Sequence, residues 1–196
     1  MARWTHFYLI RIEFLGFRYH GWQKQQGLKS VHGMIDKTMS FVLKHQNFRT
    51  LGCGRTDAKV SAHDYAFELF TQEELIPEQL LHRLNKNLPA DIRAKQVLPV
   101  SADFNIIQSA KRKQYRYFFS FGDKSHPFNA PLISDFGKQL NVDLMKEAAT
   151  LFQGTHNFKR YVSKPSADTV FTREILHASI EVNTELYGSF TPDESY

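Results

Sequence analysis

The stretch Gly52-Cys53-Gly54-Arg55-Thr56-Asp57-Ala58-Lys59-Val60-Ser61-Ala62-His63-Asp64 places a carboxylate on a glycine-rich connection, one residue removed from an arginine. A carboxylate that acts as a nucleophile must stay ionised, and a nearby guanidinium lowers its pKa and holds it in place. Glycines let a substrate approach the backbone closely. Asp57 is therefore the candidate reactive residue, with Arg55 as its partner. An aspartate that merely caps a turn beside a surface arginine is the competing reading, and the local arrangement alone favours it.

Two further clusters interleave rings and cations. Lys111, Arg112, Lys113 and Arg116 surround Tyr115 and Tyr117, and Arg18, Tyr19, His20, Trp22 and Lys24 form the other. Stacked bases and phosphates need this combination, although basic stems lying beside core aromatics produce the same pattern. The nine histidines are scattered without metal-ligand spacing, so no metal site is expected. His63 and Asp64 are neighbours, and neighbours on a strand face apart. The sequence has neither a phosphate-binding P-loop nor a serine nucleophile elbow.

These residues must be positioned by the elements between them. Phe7 to Phe14 alternates as a strand, with Tyr8, Ile10, Ile12 and Phe14 on one face. Ser30 can cap a helix whose apolar positions are Val31, Met34, Ile35, Thr38, Phe41 and Val42. Phe48–Cys53 and Tyr65–Phe70 read as strands flanking the Asp57 loop. Pro77 suits the first turn of a second helix with Leu80, Leu81 and Leu84 inward, and Ile92–Val97 is extended again. The order strand, helix, strand, strand, helix, strand is the ferredoxin-like pattern.

A second unit begins near Phe104, giving expected domains of 1–103 and 104–196. It reads as a strand at Tyr115–Phe121, a helix after Asn141 with Val142, Met145, Ala149 and Phe152 on one face, and a strand at Leu176–Val182. The expected fold is α+β, with two ferredoxin-like βαββαβ units sharing an antiparallel sheet. If the second repeats the first, a strand, a helix and a strand are missing. Either the chain is incomplete at its carboxyl-terminal end, or another chain completes the unit, or the repeat reading fails.

The bulk numbers agree with a nucleic-acid partner. The 196 residues carry a formal charge of +5, and the sequence pI is about 9.3. Such a balance favours a polyanion. A hydrophobic content of 42% excludes a disordered chain. The single cysteine, Cys53, excludes an internal disulfide and a cysteine-based zinc site. Met1–His6 lacks the apolar run of a signal peptide, and no run is long enough to span a membrane. A cytoplasmic setting is expected.

At Gly54-Arg55-Thr56-Asp57-Ala58 the chain resembles the TruA-type tRNA pseudouridine synthases, whose pattern runs G-R-T-D-A-G-V-H-A. Tyr19-His20-Gly21-Trp22-Gln23-Lys24-Gln25 resembles the family's early loop, and Leu84 to Ile92 its N-x-x-L-P-x-D-I segment. Tyr115-Arg116-Tyr117 resembles its Y-x-Y strand, Gly154 to Phe158 its G-T-H-D-F turn, and Arg173-Glu174-Ile175 its R-x-I. The motifs occur in family order over nearly the whole chain.

The resemblance implies that Asp57 attacks a uridine flipped out of the anticodon arm of tRNA, that the glycosidic bond breaks, and that the base is rejoined through carbon. Flipping is needed because a stacked base cannot meet a carboxylate. Arg55 would hold the flipped nucleotide and pair with Asp57, and Tyr115 would stack on the uracil. Arg18, Tyr19, Trp22, Gln23, Lys24, Lys59, Lys111, Arg112 and Lys113 would contact RNA. The family uses no cofactor or metal, and its members are usually homodimers. Four positions depart from the pattern: Lys59 replaces Gly, Ser61 replaces His, Ile107 stands where F-H-A-R has a basic residue, and Asn157 replaces Asp. The family also continues past the position of Tyr196 with a strand and a helix carrying a basic residue of the active site. A catalytically impaired RNA-binding relative is the alternative.

Overall fold

The computed structural model describes residues 4–109, 112–162, 165–167 and 169–183. It divides into two compact units, Met1–Tyr115 and Arg116–Tyr196. The first contains β1 (His6–Phe14), α1 (Val31–Leu43), β2 (Phe48–Gly52), β3 (Ala62–Thr71), α2 (Pro77–Asn87), β4 (Ile92–Val100) and a short α3 (Ile106–Ser109). Its four strands lie in the order β2-β3-β1-β4, and every neighbouring pair is antiparallel. This is the ferredoxin-like arrangement that the element order predicts.

Alternation decides which face of the sheet is covered. Tyr8, Ile10, Ile12 and Phe14 of β1 are buried together with Tyr65, Phe67 and Leu69 of β3. They pack with Val31, Ile35, Met39 and Val42 of α1 and Leu80 and Leu84 of α2 in one core. Ser30 caps α1 by accepting a hydrogen bond from the Gly33 amide at 3.1 Å, and Pro77 opens α2. One expectation for α1 is corrected. Met39 is fully buried and Phe41 is 69% exposed, because the inward stripe follows positions three and four apart from Ile35 and passes over Phe41. The opposite face of β3 holds a surprise in Glu68, which is 1% exposed. Its Oε2 accepts a hydrogen bond from the Ile106 amide at 3.4 Å. Burial pushes its carboxyl above the usual range.

The second unit differs from the expected strand-helix-strand order. Its elements are β5 (Phe119–Ser120), β6 (Ser134–Asp135), α4 (Val142–Thr150), β7 (Gly154–Asn157) and β8 (Thr172–Ile175). β5 pairs in parallel with β6, and β7 pairs antiparallel with β8, so this unit has two short sheets of its own. The strand expected over Tyr115–Phe121 is reduced to Phe119–Ser120, and Tyr115 and Tyr117 are exposed. The strand expected at Leu176–Val182 is replaced by β8, just before it. Asn141 caps α4 as predicted, accepting a hydrogen bond from the Leu144 amide.

Candidate active site

β2 ends at Gly52 and β3 begins at Ala62, which leaves Asp57 on the loop that joins them. The loop is held mainly through its backbone, by the segment that follows β1. The Trp22 amide donates to the Thr56 carbonyl at 3.2 Å, and the Lys59 amide donates to the Tyr19 carbonyl at 3.0 Å. The Gly16 amide donates to Ser61 Oγ at 2.9 Å. Ser61, where the family pattern has histidine, thus acquires a structural role. The Tyr65 hydroxyl donates to the Gly54 carbonyl, and burial raises the pKa of this phenol, which keeps it protonated as a donor.

Two glycines make this approach possible. A Cβ on Gly21 would stand 2.2 Å from the Thr56 carbonyl oxygen, and Gly21 has φ +84°. A Cβ on Gly52 would stand 2.4 Å from both Trp22 Nε1 and the Tyr65 hydroxyl. A side chain at Gly21 would push on the loop backbone itself, and one at Gly52 would displace the Trp22 and Tyr65 rings beneath it. Lys59 itself has φ 66°. That left-handed conformation suits glycine and costs a side chain about 1–2 kcal/mol, which gives a physical reason for the glycine of the family pattern.

The loop's fixed points are backbone atoms, so its charged side chains face outward. Arg55 and Asp57 are both exposed. The expected Arg55–Asp57 ion pair is absent from the described residues, where each carboxylate that is paired has another partner. Tyr115 is 85% exposed and makes no ring contact with the loop. Lys113 does reach it, because its Nζ lies 3.3 Å from where a Cβ on Gly54 would stand.

The other expected RNA contacts separate into groups. Tyr19 and Trp22 are each 2% exposed. This corrects their assignment as rings offered to RNA, since they form the floor under the loop. Trp22 stacks on His32 with centroids 5.1 Å apart and lies 4.2 Å from the Tyr65 ring. Arg18 is ion-paired with Asp91 at 2.7 Å, and the Tyr19 hydroxyl donates to the same carboxylate at 2.8 Å. Burial pushes the Asp91 carboxyl up, but the Tyr19 and Arg18 hydrogen bonds outweigh it and hold it below the usual range. Lys24 is paired with Asp36 at 2.5 Å. Gln23, Lys59 and Arg112 are exposed, and Lys59 Nζ lies 5.7 Å from the centre of the Phe17 ring. Lys111 lies outside the described residues.

Two open depressions, about 260 Å³ and 410 Å³, are lined by other residues, so the loop is an open rim and not the wall of either. Among the described residues no group of His, Cys, Asp and Glu is arranged to hold a metal ion, and no helix is long and apolar enough to cross a membrane. Sequence reasoning missed Asp91 as the partner of Arg18 and Tyr19, and it missed the docking role of Gly21. The signal for Gly21 lay in its place beside Trp22 in the early loop.

No family model matches the chain. Curated relatives do. The tRNA pseudouridine synthase A of Aquifex aeolicus (strain VF5) is 33% identical over 175 residues, covering 89% of this chain and 72% of the relative. The tRNA pseudouridine synthase A 1 of Protochlamydia amoebophila (strain UWE25) is 34% identical over 164 residues, 84% of this chain and 64% of the relative. That of Thermoanaerobacter sp. (strain X514) is 30% identical over 181 residues, 90% of this chain and 72% of the relative. The chain therefore spans between 64% and 72% of the length of these relatives. A ferredoxin-like unit that presents Gly54-Arg55-Thr56-Asp57-Ala58 on a docked loop, together with this likeness over most of its length, means that the chain belongs to the tRNA pseudouridine synthase A family.

Proposed function

We propose that the chain isomerises uridine to pseudouridine in the anticodon arm of tRNA, with Asp57 as the nucleophile. The observation that carries this reading is the presentation of Asp57. Its side chain is exposed while the backbone on both sides is fixed by Tyr19, Trp22 and Tyr65. A nucleophile held on rigid elements and open to a flipped base meets the geometric demand of the reaction. The Asp57 carboxylate attacks the target uridine, and the glycosidic C–N bond breaks. The base turns, the bond to Asp57 breaks as C5 joins the ribose C1′, the C5 proton leaves to solvent, and N1 takes up a proton. The product is an isomer, so no oxidant or reductant is consumed.

Arg55 supplies a guanidinium that closes on the nucleotide and Asp57 when RNA is bound, and the exposed Tyr115 ring stacks on the uracil. Gln23, Lys24, Lys59, Arg112 and Lys113, with Lys111 and Arg18, contact the phosphate backbone. The first unit, which runs to Tyr115, carries the nucleophile, and the residues from Arg116 onward belong to a second unit of the catalytic domain. The protein works in the cytoplasm as a homodimer.

The test is release of tritium from tRNA labelled at C5 of uridine. The full-length protein releases it and Asp57→Ala does not. Release that survives Asp57→Ala would refute the assignment of the nucleophile. The missing Arg55–Asp57 pair favours a second reading, an RNA-binding relative without catalysis. Tight tRNA binding with no release by the wild type would establish that one.

A further inference from the structure

Beneath the loop lies a polar cluster whose His32, Thr50 and Asp36 the proposed reaction does not use. His32 and Asp36 come from α1, Thr50 from β2, and Lys24 from the segment before α1. The Thr50 hydroxyl donates to Asp36 Oδ1 at 2.5 Å. Having spent its proton there, it must accept from His32, whose Nε2 lies 2.7 Å away. His32 therefore carries a proton on Nε2. Its Nδ1 is buried without a hydrogen-bond partner. Lys24 closes the cluster by donating to Asp36 Oδ2 at 2.5 Å.

This cluster reaches the loop through Trp22. The His32 ring stacks on Trp22 with an interplanar angle of 12°, and the His32 amide donates to the Trp22 carbonyl at 3.1 Å. The Val31 amide likewise holds the Gly21 carbonyl at 3.1 Å. Trp22 in turn holds the Thr56 carbonyl with its own amide, and its indole lies against Gly52. A continuous path of packed and hydrogen-bonded groups thus runs from α1 to the residue before Asp57.

We propose that neutral His32 is a positioning residue for Asp57, acting through Trp22, and that Thr50 and Asp36 fix its tautomer and ring plane. The proposal rests on the reading of Asp57 as the nucleophile. Protonating His32 would put an N–H on Nδ1, where no acceptor stands, beside a ring stacked on it. The ring would have to move and take the Trp22 platform with it. Burial pushes the His32 imidazole below its ordinary pKa, Asp36 opposes that shift and Lys24 adds to it. Asp36 and Lys24 are the charged groups facing the imidazole, and β2 presents only the Thr50 hydroxyl.

The experiment has two arms on the full-length protein. In the first, histidine and backbone NMR of the wild type is followed from about pH 8 down to pH 5. His32 should be the Nε2–H tautomer at neutral pH, and the Trp22 indole and Thr56 and Asp57 amide signals should shift together with its protonation. An Nδ1–H tautomer, or loop signals indifferent to His32, would overturn the proposal even for an inert protein. Absence of turnover with these shifts intact would count against the proposed reaction instead.

The second arm measures tritium release and tRNA affinity against pH for Thr50→Val, Thr50→Ser and His32→Gln. Thr50→Val should lower kcat about tenfold, as a small misplacement of the loop does, with tRNA affinity unchanged. Its acid limb should move to higher pH, because the imidazole then faces Asp36 directly. Thr50→Ser should restore the wild-type profile, and His32→Gln should abolish the His32 limb. Folded variants with unchanged kcat and unchanged pH profiles would overturn the proposal.

Discussion

Helices α1 and α4 are both capped by a side-chain oxygen at the residue before them, and both carry an apolar stripe. α1 buries Val31, His32, Ile35, Thr38, Met39 and Val42 against the sheet. α4 buries none of its residues, and Leu144, Leu151 and Phe152 nearby are exposed. The same local chemistry thus produces a load-carrying helix in the first unit and an uncovered one in the second. An amphipathic pattern says which face would be buried, but burial also needs a sheet that comes back to meet it. β1, β3 and β4 do this for α1 and α2. Among the described residues of the second unit, the two short sheets have two strands each. The Asp57 loop belongs to the unit whose helices are covered, which is why its backbone can be fixed so closely.

If this contrast is right, truncating an apolar side chain should be costly in one unit and almost free in the other. Trp22→Ala should destabilise the first unit by about 3–5 kcal/mol in urea unfolding. Leu151→Ala, at a position 74% exposed, should change stability by less than about 0.5 kcal/mol. Similar losses at both positions would break the comparison.

Gly21→Ala comes next. Its Cβ meets the Thr56 carbonyl, so the loop must shift. The variant should lose more than about 1 kcal/mol of stability. It should also lose turnover out of proportion to tRNA affinity. Thermal melts with parallel release and binding assays would show it, and an unaffected kcat would mean that the docking of the loop does not matter. Lys59→Gly should act in the opposite sense. It relieves a left-handed lysine and should raise stability by about 1 kcal/mol, seen as a higher Tm. Its tRNA affinity should fall through loss of one phosphate contact, with a shallower salt dependence.

The smallest effect is set by pH. Glu68 has a raised folded pKa because of burial, so its ionisation opposes folding. Below its unfolded pKa of about 4.3 the group is protonated in both states and costs nothing, and the penalty grows as pH rises from there through the folded value. Glu68→Gln should therefore raise Tm at neutral pH, and the gain should shrink as pH falls toward about 4. A constant gain at all pH values would place its origin elsewhere.

The first unit was legible because period-two alternation in β1 and β3 and the stop signals around α1 and α2 describe elements that pack on one another. Phe41 was misread because its spacing from Val31 nearly fits the stripe that Met39 fills. The second unit was less legible because its described strands are short: only Phe119–Ser120 of the alternating run Tyr115–Phe121 lies in a ladder, and β8 precedes Leu176–Val182. At the site, residue types marked Asp57 only as a candidate, and the roles given to Asp57 and Tyr115 came from the family resemblance. They did not reveal that Tyr19 and Trp22 face inward, since rings beside cations look alike whether they serve a core or a ligand. Nor did they reveal the His32–Thr50–Asp36 cluster, because Thr50 meets the α1 pair His32 and Asp36 only when β2 aligns with α1.

The most direct test of Asp57 as a nucleophile on a preformed loop is a single-turnover comparison of wild type and Asp57→Asn on C5-tritiated tRNA, with affinity measured alongside. Asparagine keeps the size of the side chain and removes its charge. The rate of release should fall by about 10⁴-fold or more while tRNA affinity changes little. Release within tenfold of wild type, or a loss of affinity as large as the loss of rate, would contradict the account.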